Sequence, residues 1–323
     1  MITAIVQPIV DIIVLCSHDF VRSLGFIPGS YDTVSANEQR ELLEISRAFP
    51  RTLAVGGSAT NSVTTAQHLG IPCRILGLAG TDDLGRLLSR YLRDKGIDYP
   101  LKLVKGAPTA SCISLVTPDG ERTMRTHLGV ATNLAARDIT AERIKGTSWL
   151  LLEGYLLTAS RENSEALYHG TLIARKCGTK VCLTSSATFV VEKKREEIIN
   201  SLLGQCDLLF ANLAEAKLLT ASKSPDEALS KLKALLPAVT ITQGANGACG
   251  IYHQIQWRIP SHPPAGPVID TTGAGDTFAG AYLASLIMGL SPEKSALVAA
   301  QLAAVVVATV GAQLPPGIAP PWT

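Results

Sequence analysis

Apolar residues fill positions 2–16 almost without a break, interrupted only by Gln7, Pro8 and Asp11, which is the pattern of a strand buried on both faces of a parallel sheet. Residues 17–36 are polar and contain glycine, after which Asn37 is placed to cap a short helix ending near Phe49. A brief strand over 52–55 runs into Gly56-Gly57 and a helix over 58–69; a strand over 73–78, a turn at 79–82 and a helix over 83–95 follow. Between 101 and 128 the alternation stops. Runs at 101–105, 111–117 and 122–128, the last two joined by Pro118-Asp119-Gly120, predict a β-meander inserted as a lid or an oligomer interface. Alternation resumes with strands near 149–152, 180–183, 208–210 and 239–242, then a hairpin over 249–259 and long helices from Asp276 and from Pro292. The proline-rich end, 314–323, is expected to trail over the surface.

This order predicts one α/β domain over 1–323 with a mostly parallel sheet, and no internal repeat or linker divides it. Net charge is +2, from 29 basic and 27 acidic residues, and no basic run carries interleaved aromatics, so nucleic acid is not an expected partner. The mixed charge cluster at 192–197 reads as a solvated helix face. Seven cysteines form no CxxC pair and no metal-ligand spacing with the six histidines, the usage of a reduced, cytoplasmic protein. No secretory signal is expected. Residues 296–312 are apolar except for Gln301 and Thr309, but a Ser291, Pro292, Glu293 helix start precedes them, which predicts a buried core helix and no membrane partner.

Chemistry concentrates in residues 270–286, DTTGAGDTFAGAYLASL. Gly273 and Gly275 allow close backbone approach, so the amides of Ala274, Gly275 and Asp276 can converge on a phosphoryl group at the positive end of a helix, with Phe278, Tyr282 and Leu286 buried behind them. A cap alone would explain Asp276; the crowding of Asp270, two threonines and two glycines before it exceeds what a cap needs. A dinucleotide fingerprint is excluded, because Phe278 occupies its third glycine position.

In a doubly wound sheet, ligands collect beyond the carboxyl ends of the strands, and several segments share that rim. Asn212-Leu213-Ala214-Glu215 is close to a capping box, and Glu215 also suits a hydrated Mg²⁺, which needs only one or two carboxylates. Thr242 to Gly247, TQGANG, ends in a hairpin signal, while Thr242 and Gly244 leave room for a nucleotide against the backbone. In Gly56-Gly57-Ser58-Ala59-Thr60-Asn61, Ser58 suits a cap, the glycines suit a hinge against substrate, and Asn61 presents an amide to substrate hydroxyls. Asp11, a carboxylate in an apolar strand, needs hydrogen-bond partners, either internal or from a sugar diol.

Over nearly its whole length the chain resembles the ribokinase family, also called PfkB carbohydrate kinases, and within it the adenosine-kinase-like branch. DTTGAGDTFAGA matches the C-terminal signature, GLAGTDDLG after GGSATN the N-terminal one, and NLAE the Asn-x-x-Glu motif. The resemblance implies a Rossmann-like sheet flanked by helices, with a small β-sheet lid drawn from about 12–36 and 101–128. It implies ATP and Mg²⁺, Asp276 as catalytic base, and Gly273, Ala274 and Gly275 as the anion hole. Asn212, Glu215, Thr242, Gly244 and Gly247 then belong to the nucleotide site, with Mg²⁺ held by Glu215 through water. Asp11, Gly56, Gly57 and Asn61 match acceptor-binding positions. Some relatives hold a monovalent cation beside the loop; Asp270 and Thr272 match part of that site, which leaves potassium open. Glu153 and Tyr155 lie where either acceptor selectivity or a strand-end role would place them, and Arg122 and Arg125 are either solvated or in contact with a phosphorylated sugar. The expected reaction is γ-phosphoryl transfer to a primary hydroxyl of a sugar or nucleoside. A vitamin-type kinase, of the pyridoxal or hydroxymethylpyrimidine kind, and a catalytically silent regulatory protein on the same fold are the alternatives. Lid edges could pair two copies in a homodimer.

Overall fold

In the computed structural model, which describes residues 1–100 and 103–322, the first apolar run divides at Pro8, which has no N–H to give a ladder. The single opening strand expected over 2–16 is therefore two strands in different sheets. In chain order the strands are β1 (Ile2–Ile5), β2 (Ile9–Leu15), β3 (Tyr31–Thr33), β4 (Arg51–Gly56), β5 (Cys73–Leu76), β6 (Ser111–Val116), β7 (Arg122–His127), β8 (Trp149–Glu153), β9 (Lys180–Thr184), β10 (Leu208–Asn212), β11 (Ala238–Thr242), β12 (Ala248–Tyr252) and β13 (Ile255–Ile259).

Eight of them form the main sheet in the order β13-β12-β11-β10-β9-β8-β1-β5, parallel except for the β11-β12-β13 edge. Both faces are covered. Ile2, Ala4 and Val6 join a core under the helices Ser58–His68, Ala274–Ile287 and Pro292–Val306, while Ile5, Leu150 and Leu152 join a second core under Arg161–Lys176 and its neighbours. This is why β1 and β8 read as continuous apolar sequence without alternation.

The other five strands form the lid in the order β3-β7-β6-β2-β4. Only its β6-β7 hairpin is local. β2 lies between β6, parallel to it, and β4, antiparallel to it, so the lid is assembled from strands spread over residues 9–127 and is not an inserted meander. The expected strand over 101–105 falls partly outside the described residues; Val104 makes one isolated bridge, to Gly80.

Two local readings shift. Ser35 and Glu38 form a capping box for the helix Ala36–Ile45, so the cap is Ser35 and not Asn37. The chain end does not trail. Leu314 is buried, Ile318 and Trp322 pack on the first core, Gln313 Nε2 donates to Val55 O at 3.0 Å, and the His68 ring meets Ile318 O at 2.8 Å. The helix Pro292–Val306 starts at a Ser291 cap, and among the described residues no helix is long and apolar enough to cross a membrane.

Candidate active site

The turn before the helix Ala274–Ile287 is held open by contacts from the chain end and from the lid. Gly273 has φ 77°, and a side chain on it would collide with Ala312, so both backbone conformation and space require glycine. Asp270 fixes the start of the turn: its Oδ1 accepts from the Thr272 amide at 2.9 Å, its Oδ2 accepts from the Gly311 amide at 3.1 Å, and Arg122 of β7 reaches across to pair with it. The Thr277 amide donates to Gly273 O at 2.7 Å and the Ala274 amide leans on Thr271 O at 3.3 Å. That leaves the amides of Gly275 and Asp276, which as first-turn groups have no intrahelical partner, facing outward.

Asp276 sits in this first turn, and its carboxylate is held from the helix Ser58–His68: Ser58 Oγ donates to Oδ1 at 2.6 Å and Asn61 Nδ2 to Oδ2 at 3.0 Å. Burial pushes the carboxyl above its ordinary range, the two hydrogen bonds oppose this without cancelling it, and the Glu215 charge adds to the rise. Ser58 is therefore more than the expected cap. The cap position belongs to Gly57, at φ 98°, and Ser58, the first helical residue, turns its hydroxyl to Asp276. Asn61 is buried with one end on Asp276, and its Oδ1 has no hydrogen-bond partner among the described residues.

On one side of Asp276 lies a cavity of about 520 Å³. It is lined by Asn212, Thr242, Gly244 and Gly247, by Thr271, Ala274 and Gly275 of the turn and helix start, and by an apolar shelf of Ala300, Ala303, Ala304 and Val307. Three of the alanines in 296–312, Ala300, Ala303 and Ala304, thus line the cavity, while Ala296 and Ala299 pack in the first core. Gly247 also answers to packing, since a side chain there would collide with Ile259 of the neighbouring strand. Behind Asn212, the capping box is complete: Glu215 N donates to Asn212 Oδ1 at 2.9 Å, and the Asn212 amide N–H donates to Glu215 Oε2 at 3.0 Å. Ser185 Oγ adds a bond to the same Oε2 at 2.6 Å. One buried carboxylate behind an exposed amide fits a hydrated Mg²⁺, which keeps most of its waters. Among the described residues no group of three His, Cys, Asp or Glu side chains is placed to hold a metal directly. The Asp270 carboxylate, by contrast, already faces a guanidinium, which a monovalent cation would have to displace.

On the other side, β2 brings Asp11 beneath the lid. Its carboxylate lies against Gly56 so closely that a side chain at 56 would collide with it. Burial pushes Asp11 up to about 6, and the nearby Arg122 charge pulls the other way. Tyr31 of β3 stacks on Phe189 with centroids 5.2 Å apart, and Tyr155 lies 5.8 Å from the same ring. Burial raises the Tyr155 phenol above its ordinary range, and the charges of Asp276 and Glu153 add to the rise. Arg125 is not solvated: it is buried, bonds Ser30 O and Oγ, and lies 3.9 Å over the Phe26 ring. The sequence pattern gave Ser58 only a capping role, and gave Ser185 and Phe189 none; a polar residue directly after Gly57 was the one available sign.

A family profile described as pfkB family carbohydrate kinase matches residues 30–318. An adenosine kinase from Schizophyllum commune is 25% identical over 95% of this chain and 94% of its own length. Among solved structures, a probable sugar kinase protein from Rhizobium etli CFN 42 superposes with TM-score 0.89 at 30% identity, covering 97% of this chain and 94% of that one. An adenosine kinase from Sinorhizobium meliloti does so with TM-score 0.89 at 29% identity, covering 98% and 96%.

Proposed function

The chain belongs to the pfkB family of carbohydrate kinases, and on that premise we propose that Asp276 is the base of a phosphoryl transfer from ATP to the hydroxymethyl group of a sugar or nucleoside. The observation that carries this reading is the position of Asp276: a carboxylate at a helix start, between the donor-sized cavity and Asp11, with both oxygens oriented by Ser58 and Asn61. In this reading the nucleotide lies along Asn212, Thr242, Gly244 and Gly247 with its base on the alanine shelf. The acceptor's diol meets Asp11 and the backbone at Gly56-Gly57, and Asn61 Oδ1 is left to accept from it.

The acceptor oxygen bonds to the γ-phosphorus as the bond to the leaving oxygen breaks, and the hydroxyl proton passes to Asp276. A carboxylate cannot ionise an alcohol in advance, but one held above its ordinary range is better matched to take the proton late. The transition state spreads charge over the transferred oxygens, so the outward amides of Gly275 and Asp276 at the helix N-terminus are preorganised for it. Mg²⁺, when bound, neutralises phosphate charge; Glu215 would hold it through water, with Asn212 beside it. Potassium is not part of this reading, because Arg122 occupies Asp270.

The rings of Tyr31, Phe189 and Tyr155 favour an acceptor that carries a planar base. A vitamin-type kinase is not favoured by relatives that are sugar and adenosine kinases with full coverage. An ADP-release assay across adenosine, other nucleosides, ribose, fructose and their phosphates tests the proposal. Turnover is expected with at least one nucleoside or sugar, and none with any of them would overturn it in favour of a silent protein.

A further inference from the structure

Glu153 ends β8 at 1% exposure, and among the described residues no cation lies beside it. Its carboxylate is spent on backbone. Oε2 accepts from the Gln7 amide at 2.7 Å and Oε1 from the Ala59 amide at 3.1 Å, with the Ser58 amide contributing. These amides belong to two segments that pass between the sheets: residues 6–8 carry the chain from β1 into β2, and Gly57 returns it from β4 to the helix Ser58–His68. The two crossings touch, since a side chain on Gly57 would lie 2.9 Å from Gln7 O. The return from β7 is tied to the same point, as Gln7 Nε2 donates to Asn163 Oδ1 at 3.0 Å while Asn163 Nδ2 holds the carbonyls of Ala131, Thr132 and Leu134.

Resting on the base assignment above, we propose that Glu153 is a positioning residue for the transfer: it clamps the lid crossings and, through the first turn of the helix Ser58–His68, aims Asp276. One clamped crossing leads into the strand of Asp11, and the other begins the turn whose Ser58 and Asn61 bond both oxygens of Asp276. A single carboxylate thus fixes the spacing between acceptor site and base. A buried charge is a costly way to fill space, and neutral residues would pack the end of β8 more cheaply. Burial pushes Glu153 up to about 7, with the backbone bonds opposing the rise and Asp276 adding to it, so ionising this carboxyl carries a cost that the backbone donors offset only in part. What a carboxylate supplies, and an amide does not, is two acceptors for two backbone donors.

The test is Glu153→Gln in the full chain, with Glu153→Asp carrying it should the first variant not fold by circular dichroism. Gln sets an NH₂ against one backbone N–H, and Asp reaches only one of the two amides. In either variant kcat is expected to fall about tenfold or more, since misplacement of about 1 Å is enough. The acceptor KM should rise and the ATP KM stay within about twofold, because the donor cavity touches neither crossing. Hydrogen exchange at the Gln7 and Ala59 amides should quicken about tenfold in Glu153→Gln. A cycle with Ser58→Ala should be non-additive in kcat, the double variant losing less than the product of the singles. A kcat within about twofold of wild type, unchanged exchange at both amides, or full multiplicativity in the cycle each overturns the proposal. An inactive Asp276→Asn beside a normal Glu153→Gln removes the clamp alone, whereas an active Asp276→Asn removes the base on which it rests.

Discussion

The two halves of the cleft are built differently. On the proposed donor side the capping contacts are local: Asn212 and Glu215 cap one another three residues apart and Asp270 fixes the amide of Thr272 two residues on, while Ser185, Gly311 and Arg122 brace these caps from elsewhere in the chain. On the acceptor side the decisive contacts join distant segments. Glu153 reaches Ala59 and Gln7 across 94 and 146 positions, and Asp276 meets Asn61 and Ser58 across 215 and 218. A phosphate-binding helix start asks only for turn conformation and free amides, which a few adjacent residues supply. A base aimed at a particular hydroxyl needs fixed distances between two sheets, and no single segment supplies those.

The largest effect that sharpens this contrast is expected from Asp276→Asn, where the halves meet. Turnover should drop about 10²–10⁴-fold, the usual contribution of a positioned base. ATP affinity, measured by calorimetry, should change little because the donor wall is untouched, and near-wild-type turnover would remove the base assignment.

A smaller and one-sided effect is expected from Asp11→Asn. The acceptor KM should rise roughly tenfold while the ATP KM holds, as one charge-assisted hydrogen bond is weakened. The same change has a stability signature of the opposite sign. Asp11 has a folded pKa of about 6, above its ordinary 3.8, so the ionised form penalises the fold and stability is lost as pH rises through about 6. Asp11→Asn should therefore melt higher than wild type at pH 7, and the difference should vanish below about pH 4. A variant that melts lower than wild type at pH 7 would show the carboxylate to be structural, and the two halves would then differ less than the geometry indicates.

The smallest effect concerns the cation. With Arg122 on Asp270, replacing potassium by sodium should leave kcat within about twofold at constant ionic strength. A tenfold potassium dependence would mean that Arg122 yields its place in the working enzyme.

How much of this was legible follows the same division. The DTTGAG turn, the Asn212 and Glu215 cap and the alternation of the main sheet were readable, because helix termini and strand burial restrict residue type within a few positions. The residue pattern alone read 101–128 as an inserted meander, and the family resemblance added 12–36 to the lid; β2 looks like any apolar strand, and only its pairing with β4 and β6 moves it out of the main sheet. The core helix expected in 296–312 is present up to Val306 and packs in the first core, but its second face, Ala300, Ala303 and Ala304 on the cavity, has the same composition as the buried one and could not be told from it.

By itself, the sequence determined the class of fold and the family and singled out the residues proposed for the donor side, all of which depend on local backbone geometry and on a pattern of burial. Tertiary structure alone decided that Ser58 and Asn61 orient Asp276, that Arg122 meets Asp270, and that Glu153 faces two backbone donors instead of a ligand. Those outcomes depend on how segments far apart in the chain are brought together. A residue's hydrogen-bonding capacity is written in its type, but its partner is set only when separate segments are brought within about 3 Å.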